Sequence, residues 1–161
     1  MRIIRLFAGL ALAMASACSP QQAGQTQSTA SPTPAVHQVS GLPVIALQVT
    51  SRGTARHFRV ELAQTDAEQA RGLMFRTQMG EDEGMIFPYD PPRQVAFWMK
   101  NTVIPLDIVY IGADRRILNI TNAVPYDERP LPSAGAASGV LELNGGRAAA
   151  LGIVPGDRVD W

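Results

Sequence analysis

The chain has 161 residues, 14 Lys and Arg against 14 Asp and Glu, and a single cysteine. This length suits one ordinary globular domain. The balanced charge lacks the basic footprint of proteins that bind a phosphate backbone, so we expect no nucleic acid partner. A single cysteine excludes an intrachain disulfide, and it also excludes Cys-based zinc sites and CxxC redox chemistry within one chain.

Residues 1–17 have the pattern of a signal peptide. Arg2 and Arg5 give a positive start, and the apolar run at 6–14 is too short for a transmembrane helix, which needs about 20 residues. The sequence Ala-Ser-Ala-Cys at 15–18 resembles the lipobox of bacterial lipoproteins, in which diacylglycerol is attached to the cysteine sulfur before cleavage. The resemblance implies that Cys18 is lipidated. The alternative is an ordinary small-residue cleavage site at the same bond, which releases a soluble protein.

A lipid on Cys18 predicts an exported protein that is attached to the periplasmic side of a bacterial membrane. Ser19, rather than Asp, follows the cysteine, and the sorting rule of enterobacterial lipoproteins then favours the outer membrane. Residues 18–41 are rich in Gln, Ser, Thr and Pro and have no charged side chain, which predicts a disordered tether. His37 lies in this segment and is interpreted as part of the linker rather than as a ligand.

Residues 42–161 carry 12 basic and 14 acidic side chains and are predicted to form one domain. Apolar and polar residues alternate at 45–49 and again at 58–62, with turn residues between them, which predicts a β-hairpin. His57 falls on the polar face of the second strand, so we expect it to face solvent rather than to be catalytic.

A short helix is predicted after this hairpin. Thr65 and Glu68 have the spacing of a capping box, and the helix is expected to run to about Phe75. Its three-and-four spacing places Gln69 outward. The buried stripe is predicted to contain Ala67, Ala70, Leu73 and Met74.

The rest of the chain has the pattern of short strands. Alternation or short apolar runs predict strands at 85–87, 94–99, 106–111, 116–124, 139–143 and 157–161, and a helical turn or two at 146–151. About eight short strands with two short helices predict a mainly β domain, either a β-sandwich or a barrel. Periodicity does not give the order of the strands.

The sequence contains no strong catalytic motif. It has no GxSxG elbow, no HExxH and no phosphate-binding GxxxxGK[ST], and its domain has no cysteine nucleophile. Nothing in the pattern indicates a metal site or a cofactor. An acid/base pair of carboxylates remains open, and Asp107 with Glu142 is the pair we consider.

Several polar residues stand in apolar surroundings. Lys100, the only lysine, ends a hydrophobic strand, and Asp107 interrupts the next strand. A buried charge needs a partner, so these two side chains are candidates for an ion pair. The alternative is that Asp107 lies on a wet face and Lys100 begins a turn. Arg71 and Arg76 flank an apolar stretch and are candidates for bidentate contacts to an anion.

Six motifs together resemble a known family. They are Arg-Gly-Leu-Met-Phe-Arg at 71–76, Gly-Met-Ile-Phe at 84–87, Phe-Trp-Met-Lys-Asn-Thr at 97–102, Pro-Leu-Asp-Ile at 105–108, Leu-Glu-Leu at 141–143 and Gly-Asp-Arg-Val at 156–159. Their order and spacing resemble the bacterial and archaeal family called domain of unknown function 192. The resemblance implies a small β-rich domain with short helices, often exported or membrane-attached, with no assigned activity or cofactor.

Two function classes follow from these residues. The first is a binding or accessory module of the cell envelope whose polar cleft takes a small anionic ligand, a glycan or a peptide. Its ligand-binding residues are predicted to be Arg71, Arg76, Trp98, Lys100, Asn101 and Asp107. The alternative is a hydrolase of an envelope polymer that uses Asp107 and Glu142 as an acid/base pair.

A third and weaker interpretation concerns the segment at 150–159. It is similar to the Ala…Gly-Leu-x-Pro-Gly-Asp segment of PDZ domains, which capture peptides by strand addition. The plainer interpretation is a turn in which Pro155 presets φ and Gly156 takes a positive φ.

Overall fold

The structure is a computed structural model that describes residues 35–161. These residues form ten strands and two short helices, which confirms the predicted mainly β fold with two short helices. In chain order the elements are β1 (Ala35–Val36), β2 (Pro43–Ser51), β3 (Thr54–Leu62), α1 (Asp66–Arg71), β4 (Glu83–Arg93), β5 (Ala96–Phe97), β6 (Leu106–Gly112), β7 (Ile117–Ala123), β8 (Leu131–Pro132), β9 (Ala137–Asn144), α2 (Arg147–Leu151) and β10 (Arg158–Asp160).

Eight strands form one mixed sheet in the order β1-β2-β3-β4-β9-β6-β7, with β10 also paired to β2. The β3 and β4 strands are parallel, and the other pairs in this sheet are antiparallel. On its other side β10 meets the start of β7, where Arg116 and Arg158 form a bridge and the Ile117 amide donates to the Asp157 carbonyl at 2.9 Å. The sheet therefore curls until β10 connects its two ends.

Both faces of the sheet are covered, so the protein has two apolar cores. All of β6 is buried, which explains its nearly continuous apolar sequence. Its alternate residues divide between the faces: Val109 and Ile111 join the first core, and Leu106, Ile108 and Tyr110 join the second. The first core also contains Leu47, Val49, Phe58, Val60, Ile86, Leu141, Leu143 and Val159. The second also contains Leu73, Met85, Phe87, Met99 and Val140.

Helix α1 begins as predicted but ends early. The Thr65 hydroxyl accepts the Glu68 amide at 3.3 Å, and the Glu68 carboxylate accepts the Thr65 amide at 2.8 Å, so the capping box is confirmed. The helix ends at Arg71 instead of continuing to Phe75, because Gly72 takes φ 47° at its C-cap.

The predicted buried stripe of α1 is only partly confirmed: Leu73 is buried and Met74 is half-buried, but both lie beyond the end of the helix. Ala67 and Ala70 are exposed, and no residue of the helix is buried. Gln69, predicted to face outward, instead donates its side-chain amide to the carbonyls of Ala63 at 3.2 Å and Pro88 at 3.1 Å. Hydrogen bonds to the neighbouring strands, rather than an apolar face, therefore fix α1 in place.

Two strand boundaries also differ from the prediction. Strand β4 continues past Pro88 to Arg93. Its register with β9 shifts between these two residues, and an irregularity of this kind accommodates a proline, which has no amide hydrogen to donate. The predicted strand at 94–99 is reduced to β5, which pairs only with β8.

The structure describes the last part of the predicted tether, and that part is folded. Ala35 and Val36 pair with β2, and the Gly41 amide donates to the His37 carbonyl at 2.8 Å in a tight turn. The predicted signal peptide and Cys18 lie outside the described residues. Neither helix in the described part of the chain has the length and apolarity needed to cross a bilayer.

Candidate functional site

A cavity of about 320 Å³ opens on the second-core face of the sheet. Its wall is about equally polar and apolar, and its aromatic part consists of Phe87 and Tyr89 from β4 with Phe97 and Trp98 at and just after β5. We call it the aromatic cavity. Its full lining consists of residues 69–74, Phe87, Tyr89, residues 96–98, Thr102 and Glu142.

The corner after α1 forms one side of the aromatic cavity. Gly72 turns the chain with a positive φ, and a Cβ at this position would lie 3.5 Å from the Phe87 ring, so the backbone approaches that ring closely. Phe87 and Phe97 pack edge to face with their centroids 5.0 Å apart, and Phe97 packs on Tyr110 in the same way at 6.1 Å. These rings are held by the second core, so the cavity wall is preformed.

Glu142 is the one acidic residue that lines the aromatic cavity. It lies on β9 between Met85 of β4 and Ile108 of β6, and only 5% of it is exposed. Its Oε2 has no hydrogen-bond partner among the described residues. Burial raises the pKa of the Glu142 carboxyl to about 8, so most molecules hold it neutral at pH 7, as a potential hydrogen-bond donor.

Two tyrosines on the neighbouring strands also remain neutral. Burial raises the pKa of Tyr89 to about 12, with a further rise from Glu142 and an opposing effect of Arg93. Burial and Glu142 likewise raise the pKa of Tyr110 far above its usual range. The Tyr110 hydroxyl donates to the Leu131 carbonyl, so it is already engaged. A tyrosine side chain is neutral or negatively charged, so neither Tyr89 nor Tyr110 can form an ion pair with the Glu142 carboxylate.

Basic side chains lie beside the aromatic cavity. Arg71 lines it and is exposed. The Arg93 guanidinium lies 4.7 Å from the centroid of Tyr89, and the Lys100 ammonium lies 5.2 Å from the centroid of Trp98. We call Arg71, Arg93 and Lys100 the basic border.

Four of the predicted ligand-binding residues lie at or near this cavity. Arg71 and Trp98 line it, and Lys100 is adjacent through its contact with Trp98. Asn101 supports the cavity corner: it has φ 54°, and its carbonyl accepts the Phe75 amide at 2.8 Å.

Arg76 is separate from this group. Its guanidinium makes a bidentate ion pair with Glu61, at 2.8 and 3.0 Å, and both residues are nearly buried. Glu61 also accepts the Ser40 hydroxyl, and its carboxylate lies 3.6 Å from His37 Nε2. Arg76 and the folded 35–41 segment therefore cover Glu61, although this residue alternates with the apolar side chains of β3.

Asp107 is also separate, because it caps α2 from the first-core face. It is fully buried and accepts the amides of Gly146 at 2.9 Å and Ala148 at 2.8 Å, and also the side-chain amide of Asn122. The predicted ion pair with Lys100 does not form: within residues 35–161, Lys100 has no acidic partner, because its ammonium lies over Trp98.

Asp107 and Glu142 do not form the acid/base pair that we considered. Asp107 lies opposite Leu143, while Glu142 lies opposite Ile108, so the two side chains project from opposite faces of the sheet. No group of three His, Cys, Asp or Glu side chains in the described part of the chain is arranged to hold a metal ion.

The segment similar to PDZ domains forms a turn. The Val154 amide donates to the Asp157 carboxylate at 2.8 Å, and Gly156 takes φ 92°. The following strand, β10, pairs with β2 on one side and with Arg116 on the other. Since both edges of β10 are occupied, the expected peptide-binding edge is absent there.

The sequence interpretation missed part of the cavity wall. Phe87 and Tyr89 were not candidates, and Glu142 was considered only as one of a catalytic pair. The signal that could have identified Glu142 is its position as the single acid inside the apolar run at 140–143, because burying an unpaired charge is costly.

Comparison with known proteins places the chain in a family. The model of DUF192, described as an uncharacterized ACR, matches residues 47–161. A crystal structure of a protein of unknown function from Novosphingobium aromaticivorans DSM 12444 is 60% identical, with a TM-score of 0.78, and covers 81% of this chain and 94% of that one. A second, from Sinorhizobium meliloti 1021 and described as a proposed transcription regulator, is 40% identical, with a TM-score of 0.72, and covers 74% of this chain and 94% of that one. No curated protein is significantly similar to the chain. The family match and the two similar structures together establish that this chain belongs to the DUF192 family.

Proposed function

We propose that this protein is a binding module of the cell envelope that takes a small anionic ligand in the aromatic cavity. The observation that carries the proposal is a preformed cavity of about 320 Å³ with aromatic walls, a basic border and a buried carboxyl in its lining. Small-molecule sites usually combine mainly apolar walls with a few convergent polar groups.

The basic border supports an anionic group on the ligand. Arg71 offers several donors that match the oxygens of a carboxylate or phosphate, and Arg93 and Lys100 add positive potential nearby. An apolar body would lie against Phe87, Phe97 and Trp98. We therefore favour a small molecule over a glycan or a peptide.

The hydrolase alternative loses its basis because the cavity lining contains a single carboxyl, Glu142. Hydrolysis by an acid/base pair requires a second carboxyl about 5 to 10 Å from the first, so that the two flank the scissile bond. Asp107 projects from the other face of the sheet and binds the start of α2.

Binding is tested by blocking the cavity. A panel of small aromatic and aliphatic carboxylates and phosphates is screened for a rise in melting temperature. We expect Ala70→Trp, on the lining of the cavity, to remove the rise. Ala67→Trp is the matched control, because Ala67 is an exposed alanine of the same helix outside that lining. No stabilising compound, or equal responses from both variants, would contradict binding in this cavity.

The envelope location is tested at Cys18. We propose that the lipid on this residue attaches the module to the membrane, with the outer membrane favoured. Mass spectrometry of the native protein should give a lipid-sized addition at Cys18, and Cys18→Ala should abolish both this mass and membrane fractionation. A wild-type protein found entirely in the soluble fraction would refute the anchor.

A further inference from the structure

We infer that the ligand is a zwitterionic amine whose ammonium group forms an ion pair with Glu142, while its anionic group lies at the basic border. The inference rests on the proposed function and narrows its ligand class. It concerns the inner end of the ligand, whereas the proposed function concerns its outer, anionic end.

The geometry around Glu142 supports a cation. Its Oε2 is buried and has no hydrogen-bond partner among residues 35–161, and the residue lines the same cavity as Phe87, Tyr89 and Phe97. Aromatic rings and a carboxylate together attract an ammonium group, because the ring faces carry negative electrostatic potential. An ammonium in the cavity would also give the Glu142 carboxylate a partner of opposite charge.

The neighbouring side chains do not supply the positive charge that would pair with Glu142. Tyr89 and Tyr110 face it from the two neighbouring strands, and both hold their protons at neutral pH. Among the described residues, no Arg, Lys or His forms an ion pair with Glu142. An anion beside this carboxyl would be repelled once the carboxyl ionises, whereas an ammonium would stabilise the ionised form.

The proton balance follows from this pairing. In the free protein at pH 7 most Glu142 side chains carry a proton, because burial raises the pKa of this group to about 8. When the ammonium binds, Glu142 loses its proton to solvent, the ligand keeps its own protons, and no covalent bond to carbon changes. We therefore expect the release of about 0.9 proton per ligand at pH 7 and an affinity that rises about tenfold or more from pH 6 to pH 8.

The test is titration calorimetry on the full-length protein in buffers of different ionisation enthalpy. The probes are leucine and phenylalanine, together with 4-methylpentanoate and 3-phenylpropionate, which are the same molecules without the amine. We expect at least one amino acid to bind at least tenfold more tightly than its deaminated partner and to release a proton. The deaminated probes should release none.

Glu142→Gln keeps the shape of the side chain and removes its charge. This variant should lose proton release and most of the preference for the amine, while Glu128→Gln, at an exposed position, should keep both. Proton release by the wild-type protein is an independent readout if the Glu142 variant folds poorly.

The outcomes separate the two proposals. If the deaminated carboxylates bind as tightly as the amino acids, without proton release, the ammonium inference is overturned and the proposed function stands. If none of the four probes binds at millimolar concentration, the ammonium inference is overturned, and the proposed function is decided by the wider panel of carboxylates and phosphates. A proton released equally by the Glu142→Gln variant would come from another group and would also overturn the inference.

Discussion

Asp107 and Glu142 are buried acids on adjacent strands, but their oxygens have different partners. Asp107 accepts two backbone amides and a side-chain amide, whereas Glu142 Oε2 accepts no hydrogen bond from residues 35–161. Hydrogen bonds to a carboxylate offset the cost of burying its charge, and without them the group keeps its proton. The first acid therefore belongs to the scaffold, and the second is available to a ligand.

Glu142→Gln should remove a pH dependence of stability. The pKa of Glu142 rises from 4.5 to about 8 on folding, so the native state binds more protons than the unfolded state between these values. The free energy of unfolding then falls as pH rises through this window, by up to about 1.4 kcal/mol per pH unit, and levels off above it. Urea unfolding at several pH values measures this slope.

The expected result is a flatter profile for Glu142→Gln than for the wild type between pH 5 and pH 8. Glu128→Gln serves as the control and should keep the wild-type slope. Parallel profiles for the wild type and Glu142→Gln would show that the carboxyl is already ionised in the folded protein.

The sequence pattern identified Lys100, Asp107 and Arg76 as candidate functional residues, but it did not predict which groups each of them contacts. Lys100 and Asp107 were candidates because they interrupt apolar runs, and a pair between them satisfied both charges. The partner of Asp107 is instead the start of α2, about forty residues later in the chain. Arg76, in the loop between α1 and β4, likewise pairs with Glu61 of β3. Long-range partners of this kind depend on strand order, which a local pattern does not contain.

At the level of elements, α2 depends on a side chain from the sheet. It has five residues, and its N-cap, Gly146, provides no side-chain hydrogen bond. Asp107 supplies this cap from β6, since its carboxylate binds the Gly146 and Ala148 amides. A short helix without its own cap is marginal in water, so this contact determines whether α2 forms.

Asp107→Asn should therefore destabilise the protein by about 2 to 4 kcal/mol, because it removes charge-assisted bonds and directs an amide NH₂ toward backbone donors. The free energy of unfolding in urea measures the loss. Asp82→Asn is a matched control: its ion pair with Arg147 of α2 is exposed, so we expect a loss below about 1 kcal/mol. Equal losses would mean that Asp107 does not hold α2.

Sequence predicted well the elements whose structure depends on residues that are close together in the chain. The hairpin of β2 and β3 follows from two-residue alternation, and the start of α1 follows from the Thr65 and Glu68 spacing. The end of α1 was misjudged because apolar residues at 73–74 continue the helical spacing after Gly72 has turned the chain. Their burial belongs to the second core, not to a helix face.

At the scale of the whole molecule, β10 connects the two ends of the sheet. Val159 is fully buried in the first core, and its amide donates to the Arg115 carbonyl at 2.8 Å. Trp161 follows it, and the Arg115 guanidinium lies 3.7 Å from the Trp161 ring centroid. A segment of a few residues thus completes a core that is otherwise built from strands far away in sequence.

Val159→Asp should unfold the protein or destabilise it by several kcal/mol, because it places an unpaired charge in the first core. Circular dichroism and thermal melting measure the effect. Arg158→Gln, at the exposed neighbouring position, should change stability by less than about 1 kcal/mol. A cooperative, near-wild-type melt for Val159→Asp would mean that the closing strand is dispensable.

The small, mainly β fold could be predicted from composition, alternation and family resemblance, but the arrangement of its strands could not. Parallel pairing of β3 with β4, and insertion of β9 between β4 and β6, join segments that are distant in sequence. This arrangement brings Glu142 to the aromatic cavity and turns Asp107 away from it. The cavity is therefore a product of topology.

The shallow attachment of α1 has a consequence for motion. This helix has no buried side chain, and its side-chain hydrogen bonds to the adjacent strands come from Gln69. Segments with few buried apolar contacts open at low free energy while the rest of the protein stays folded. Amide hydrogen exchange should therefore be fast in α1 and slow in β6 and β9, and we expect the α1 side of the aromatic cavity to open locally without disturbing the sheet beneath it.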